Sequence, residues 1–507
     1  MFENQPKGLF ALALANTGER FGYYTMLAVF ALFLRANFGL EAATAGQIYS
    51  TFLALVYFLP LIGGILADKI GYGKCVTIGI MVMFLGYILL AVPLGAGGTA
   101  MGAMIAALVL ISFGTGLFKG NLQVMVGNLY DDPKYADKRD AAFSLFYMAI
   151  NIGAMFAPTA AVKIMEWAQT SLGVSVNDSY HFAFMVACAS LVLSIAIYYA
   201  CRPWFKHVEN SAKQVATTSG AKVEELTPEQ TKKRIVALCL VFAVVIFFWM
   251  AFHQNGLTLT YFANEFVQPL CTGVQTMAFD IVNLVMIVVM VYAGFSLVQS
   301  KEKKTKLISG GAIVAALGVL AYKYLNISAD GITLSAPIFQ QFNPFYVVAL
   351  TPFSMALFGA LAKKGKEPSA PRKIALGMVV ATVAYIVMAV ACVGLLTPNA
   401  QAVAGEGATF VNANVLIYTY LILTFAELLL SPMGISFVSK VAPPKYKGMM
   451  MGGWFVATAI GNYLVSIGGN LWGDMPLWGV WSVFVGVCAV AAIFMFAMMK
   501  KLEDATK

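Results

Sequence analysis

Long apolar stretches separated by short polar ones run the whole length of this chain. A helix needs about 20 consecutive apolar residues to cross the hydrocarbon of a bilayer. Windows of that size predict fourteen spans, at residues 8–34, 44–67, 76–95, 101–124, 142–164, 181–201, 234–262, 274–298, 307–325, 341–362, 373–396, 411–438, 447–470 and 477–499. The expected fold class is an all-α membrane protein.

The polar segments test that count. Followed alternately, one side of the membrane receives Lys7, Lys69, Lys74, Lys134, Lys138, Arg139, the Lys301–Lys306 cluster, Lys363, Lys364, Lys366, Arg372, Lys373, Lys440, Lys445, Lys447, Lys500 and Lys501. The other side holds little beyond Arg35, Lys163 and Lys323. Basic loops mark the cytoplasmic side, so both termini are expected there, in the cell inner (plasma) membrane. Residues 202–233, rich in Lys, Glu, Thr and Ser, read as a cytoplasmic linker. It divides a six-span half, 1–201, from an eight-span half, 234–507, whose additional apolar pair falls at about 274–325. Glu19 and Arg20 interrupt the first apolar run, which a cleaved leader would not tolerate, so that run is read as a retained span.

Composition excludes several function classes. Of 507 residues, 60% are hydrophobic and 11% charged, where soluble chains carry roughly 25% charged residues. The net charge of +9 sits in loops between spans, which argues orientation and not nucleic-acid binding. The seven cysteines are scattered without a CxxC pair, so neither a disulfide framework nor a zinc site is expected. Neither an HExxH nor a phosphate-binding GxxxxGK[ST] loop occurs, which removes a metalloprotease and an ATP-driven pump.

The chemistry lies in the few ionisable residues at membrane depth: Glu19, Arg20, Lys119 and Glu427, with His253 beside them. Each such charge costs roughly 2.5–3.5 kcal/mol on insertion scales, and normally faces a bundle interior or a wet cavity. In the first span Asn16, Arg20, Tyr23, Tyr24 and Leu27 share one helical face, mostly polar, with Glu19 one position round. Lys119 lies among Gly114, Gly116 and Gly120, which permit close helix approach. Glu427 sits mid-span, five residues before Pro432. Blander readings exist for each: a packing ion pair at Glu19–Arg20, a snorkelling Lys119, a protonated and hydrogen-bonded Glu427. Yet cations from the first half and an anion from the second are what a zwitterionic substrate needs. A solute bridging two moving halves is the requirement of alternating access.

At these positions the sequence resembles the proton-coupled oligopeptide transporter (POT) family of the major facilitator superfamily. Asn16–Thr17–Gly18–Glu19–Arg20–Phe21–Gly22–Tyr23–Tyr24 is similar to that family's ExxERFxYY, and Phe146–Tyr147–Met148–Ala149–Ile150–Asn151–Ile152–Gly153 to its FYxxINxG. Gly63, Gly64, Asp68, Lys69, Gly71 and Lys74 resemble the superfamily's loop between spans two and three. Further matches in family order are Phe248–Trp249 through Gln254, Gln341–Phe342–Asn343–Pro344, Glu427 through Ser431–Pro432 and Gly434, Lys440 through Pro443, and Gly453–Trp454. The likeness runs from about residue 8 to 470.

That resemblance implies two six-helix bundles with an extra helix pair, not an enzyme, and proton-coupled import of di- and tripeptides by alternating access. It implies that Arg20 and Lys119 engage the peptide carboxylate, while Asn151, Asn343 and Glu427 hold the amino end and backbone. Tyr23, Tyr24, Tyr57 and Ser431 would line the pocket, with Trp454 and Phe21 shaping side-chain space. Asp68 and Lys69 would belong to a cytoplasmic gate. Protons are the only coupling agent implied, with no cofactor or metal; the partners are small peptides and membrane lipid, around a monomer.

Three departures stand out. Asn16 replaces the family's first glutamate, Leu27 an arginine, and His253 the seventh-span acid with which that arginine pairs in the family. His253 is therefore expected to take over part of a proton relay with Glu19, imidazole having an ordinary pKa of about 6.5. The alternative is a neutral, packed histidine. The extra pair follows span 7, where many bacterial relatives carry theirs before it, and is expected to form a lateral hairpin with Asp280 simply solvated. Other solutes bearing a carboxylate, with altered or lost proton coupling, are the competing substrate class.

Overall fold

A computed structural model describes residues 5–135, 139–210, 226–443 and 446–505; the side chains of residues 68, 139–141, 439, 447 and 448 lie outside the described set. Fourteen helices are long and apolar enough to cross a membrane: Lys7–Phe38, Ala42–Ala67, Tyr72–Ala91, Gly98–Asn128, Ala142–Leu172, Val176–Ala200, Pro228–Phe266, Ile281–Gln299, Lys303–Leu325, Ala336–Lys363, Ala370–Ala391, Asn414–Val438, Met449–Leu471 and Leu477–Asp504. They are numbered here as spans 1 to 14. The count matches the hydropathy expectation, and the polypeptide is a multi-pass membrane protein. Helices are the economical answer to lipid, because each satisfies its own backbone groups.

Polar residues start several helices. Ser175 accepts from the Asp178 amide at the head of span 6, and Ser369 from Arg372 at span 11. Thr227 and Gln230 form a reciprocal capping box that begins span 7 six residues before the hydropathy estimate of 234. The end of span 1 is set by Gly39, whose φ of +63° only glycine adopts cheaply.

Glycine contacts bring the first helices together. A Cβ on Gly63 of span 2 would lie 2.0 Å from the Gly116 carbonyl oxygen of span 4, and one on Gly114 would lie 2.5 Å from the Gly79 carbonyl oxygen of span 3. Without a hydrophobic drive between helices in lipid, such close backbone approach supplies the packing. Spans 1 to 6 pack on one another, as do 7, 11, 12, 13 and 14; span 2 lies along span 13, and span 5 along span 10, where the two groups meet.

Spans 8 and 9 form the lateral hairpin. Each buries little of its surface, and they touch the bundle through the Phe295–Phe353 ring pair at 5.1 Å and a bond from the Tyr292 hydroxyl to the Val348 carbonyl at 3.1 Å. One expectation is corrected here. Asp280 is not merely solvated: it accepts from the Val282 amide to start span 8 and takes the Lys323 ammonium at 2.7 Å, fastening both ends of the hairpin. A two-residue strand pair, Leu270–Cys271 with Ile332–Thr333, lies at the same end.

The three basic residues on the cation-poor side are all neutralised: Arg35 by Glu265, Lys163 by Glu166 at 2.9 Å, and Lys323 by Asp280. The linker's first residues dock instead of trailing away. Glu209, 9% exposed, accepts from the Tyr198 hydroxyl at 2.9 Å and from Arg202, while its carbonyl takes the Gly73 amide at 3.1 Å. Residues 211–225 lie outside the described residues.

Candidate functional site

Span 1 supplies the cationic wall. Glu19 and Arg20 are 1% and 2% exposed and form a two-point ion pair. The Arg20 guanidinium also lies 4.5 Å from the Tyr23 ring centre and within hydrogen-bonding reach of Tyr24. Tyr23 and Tyr24 meet edge to face at 5.2 Å, and the Tyr23 hydroxyl is buried without a protein partner. Asn16 is buried beneath them. Span 4 brings Lys119 over the face of Tyr57 at 4.2 Å, where its charge also reaches Glu19 and Arg20. Gly114 and Gly116, just before Lys119, are glycines of the tight crossings, while Gly120 meets nothing closer than 3.8 Å.

Span 12 supplies the anionic wall. The Glu427 carboxylate accepts from Asn343 of span 10 at 2.9 Å, and Asn343 also donates to Thr424 at 3.0 Å. The Tyr147 phenol of span 5 stands within hydrogen-bonding reach of Glu427, and Asn151 one turn on donates to the Tyr147 carbonyl at 3.0 Å. Tyr147 thus links the two helical groups, with 43% of its surface still open. Tyr24 and Tyr57 both lie close enough to Arg20 and to Glu427 to feel either charge. Arg20, Lys119 and Glu427, far apart in sequence, are thus brought around the same pair of tyrosines, Tyr24 and Tyr57.

Two spans are broken beside it. Span 7 is α-helical from Pro228 to Phe252, turns through a 3₁₀ segment at His253–Gly256, and resumes at Thr258. Span 13 stops at Leu464 and resumes at Ser466. The breaks face each other. His253 Nδ1 donates to Asn462 Oδ1, and Gln254 donates to the Val465 carbonyl at 3.0 Å and the Met250 carbonyl at 3.1 Å. Irregular backbone at this depth is tolerated where it lines a cavity and finds such partners. The His253 ring stacks on Trp249 at 4.9 Å and lies 6.0 Å from Tyr57, within range of the Lys119 charge.

Other expected residues are placed less centrally. Trp454 is 4% exposed and abuts Gly434, where a Cβ would meet its ring at 2.0 Å, so it packs between spans 12 and 13. Ser431 is half-buried one turn after Glu427. Lys69 is exposed at the end of span 2, and the Asp68 side chain lies outside the described residues. Among the described residues no group of three His, Cys, Asp or Glu gathers to hold a metal.

Read from sequence, Tyr147 stands only within the FYxxINxG-like run, with no role assigned, and neither Thr424 nor Asn462 has a place. Tyr147 and Thr424 carried a usable signal, standing four and three residues before Asn151 and Glu427 on the same helical faces. Asn462 had only its polarity within an apolar run.

The face opposite the amino terminus is closed. Arg35 pairs with Glu265, which also accepts from Trp472 Nε1 at 3.0 Å; Gln340 donates to the Ala28 carbonyl at 3.1 Å, and Thr159 to Gln341 at 2.8 Å.

The chain matches the sequence pattern of the POT family over residues 74–224 and 315–475. It is 29% identical over 505 residues to an uncharacterized transporter, YclF, of Bacillus subtilis (strain 168), covering 94% of this chain and 90% of that protein. It is 27% identical to dipeptide and tripeptide permease A of Klebsiella pneumoniae (strain 342), covering 90% of this chain and 82% of that one. Among solved structures it resembles a peptide transporter POT in complex with sulfate, with a TM-score of 0.74 at 23% identity, covering 100% of this chain and 96% of the other. A POT family transporter in complex with 5-aminolevulinic acid gives 0.74 at 20% identity, covering 100% and 98%.

Proposed function

This chain belongs to the POT family and has the major facilitator fold, and from that premise we propose a proton-coupled symporter that imports di- and tripeptides by alternating access. The carrying observation is the facing of Arg20 and Lys119 from one half by Glu427 from the other, across Tyr24 and Tyr57. A peptide's carboxylate meets the cations and its amine meets Glu427, with Asn343 and Asn151 aligned on its backbone. Residues 1–201 and 234–507 act as the two rocking halves, joined by the 202–233 linker. Asp68 and Lys69 act at the cytoplasmic gate.

In the described state Arg20 is occupied by Glu19. Protonation of Glu19 releases the guanidinium for substrate; deprotonation inside lets the pair re-form and expels it. Lys119 sits within range of both Glu19 and His253, which supports a relay Glu19–Lys119–His253. His253 Nδ1 is committed to Asn462, so Nε2 is the position that takes the proton. With both termini cytoplasmic in the inner membrane, inward proton flow draws about 2.3 kcal/mol per charge from each 100 mV of potential. All the site groups come from one chain, so a monomer suffices, and no agent other than the proton is needed.

Uptake of labelled dialanine into vesicles under an inward proton gradient tests this reading. Accumulation abolished by an uncoupler is expected, together with competition by unlabelled di- and tripeptides and little by N-acetylated ones. His253→Ala should lower gradient-driven uptake; undiminished coupling removes the relay. The second reading, a different small zwitterion or carboxylate with altered coupling, is favoured by Asn16, Leu27 and His253 standing where the family carries ionisable groups. Failure of dialanine to compete would select it.

A further inference from the structure

Spans 7 and 14 part on the outside of the bundle to leave a crevice of about 380 Å³, lined by apolar side chains that include Ala243, Val244, Phe247, Val487, Val490 and Phe494. Gly486 lines its open side, exposed, where a Cβ would meet nothing within 4 Å. Both walls belong to membrane spans, so the occupant is lipid. Acyl tails are as apolar as the lining and are not selected by it. Any selectivity must come from the crevice's mouth.

The two walls lead to cations. On span 7, Phe247, Leu240 and Lys233 follow at seven-residue intervals along one face; on span 14, Val487, Phe494 and Lys501 do the same. Both lysines are exposed, and both lie on the membrane side that carries the linker, flanked by Lys232, Arg234 and Lys500. Three acids lie near. Glu229 stands one turn before Lys233, Glu503 is held by Ser369 and Arg372, and Asp504 has partners of its own. Five cations against the carboxylates of Glu229 and Asp504, with Glu503 balanced by Arg372, leave the mouth positive. Ten residues separate Lys233 from Ala243 and eleven separate Lys501 from Val490. At about 1.5 Å per residue the crevice lies roughly 15 Å below the lysines, within a single leaflet of a hydrocarbon layer about 30 Å thick.

We propose that this crevice is a binding site for one anionic phospholipid, its acyl chain between spans 7 and 14 and its phosphate between Lys233 and Lys501. Zwitterionic lipids offer the same tails but no net charge, so the lysines supply the discrimination. The consequence reaches inward, because span 7 carries Trp249 and His253 just beyond Phe247, and a lipid held here fixes the unbroken half of that span.

Native mass spectrometry of the full chain, released from detergent with phosphatidylglycerol or phosphatidylcholine of identical tails, tests this. A basic residue near an anionic surface favours binding by about five-fold, so two should make phosphatidylglycerol retention roughly 25-fold stronger. Lys233→Gln with Lys501→Gln should remove most of that preference, the flanking cations Lys232, Arg234 and Lys500 leaving a small remainder. Gly486→Leu, which fills the crevice at a position where the added atoms meet nothing, should lower retention of both. Thermal unfolding in the same detergent reports that each variant folds. Equal retention of the two lipids by the unaltered chain overturns the proposal, as does phosphatidylglycerol retention unchanged by either variant.

Discussion

Glu19 and Arg20 stand next to one another on span 1 yet clasp each other at two points, Arg20 Nε to Glu19 Oε2 and Nη2 to Glu19 Oε1. Consecutive helical residues point about 100° apart, so the two long side chains must bend toward each other to meet. The clasp also uses the edge of the guanidinium that a substrate carboxylate would take. In the proposed mechanism Glu19 and the substrate compete for these donors, and a proton decides between them.

Glu19→Gln removes the competitor permanently. Hydrogen bonds to charged groups are worth about 1.5–3 kcal/mol, or roughly 10- to 150-fold. Gradient-driven uptake should fall at least ten-fold by that measure, while exchange of labelled for unlabelled dialanine across the vesicle wall continues. Loss of both activities together would mean that the pair only holds the helix in place.

At the other wall, Glu427→Gln keeps a hydrogen-bond acceptor for Asn343 but loses the charge that faces an amine. Affinity for peptides with a free amino end should drop about ten-fold or more, and the penalty for N-acetylation should shrink correspondingly. Competition binding with dialanine and N-acetyl-dialanine measures both. An unchanged ratio between the two ligands rules out Glu427 as the amine's partner.

The closed face offers a conformational prediction. Arg35 and Glu265 join the halves there with side chains 31% and 18% exposed, so the pair contributes at most about 1 kcal/mol after screening. Glu265→Gln should enlarge the population open on that face by about two- to five-fold. The rate at which a membrane-impermeant thiol reagent labels Ala28→Cys, in a cysteine-free background, reads this, because Ala28 is 2% exposed beneath the contact. No acceleration would place the latch elsewhere.

Hydropathy found all fourteen spans because lipid imposes the same demand on each of them, residue by residue. It located Arg20, Lys119 and Glu427 for the same reason, as groups too costly to face acyl chains. What it could not register was a bond between two segments distant in sequence. Span 7 reads as one run from 234 to 262; its polar His253–Gly256 stretch hints at a break, but nothing there announces that it is answered by a second break at Val465. Asp280 was misjudged similarly. An acid at a helix start reads as solvated until Lys323, 43 residues on, is seen to return to it.

The paired breaks carry the last prediction. Gln254 donates to the carbonyls of Met250 and Val465 and accepts from Thr258 at 2.6 Å, meeting backbone groups that the interrupted helices leave open. Gly468 makes room for it: a Cβ there would lie 2.2 Å from Gln254 Oε1. Gly468→Ala should therefore destabilise the protein by pushing Gln254 away, leaving buried carbonyls unpaired at about 1–3 kcal/mol each. Gln254→Ala should cost a similar amount by the direct route. The two changes share the Gln254 contacts, although the new Cβ would also lie 2.7 Å from Thr258 Cγ2, so the double variant should lose less than the sum of the two single losses. Thermal unfolding of the three variants in one detergent measures the coupling. Additive losses would show that Gly468 is crowded by something other than Gln254, and that the two breaks are held together by a different contact.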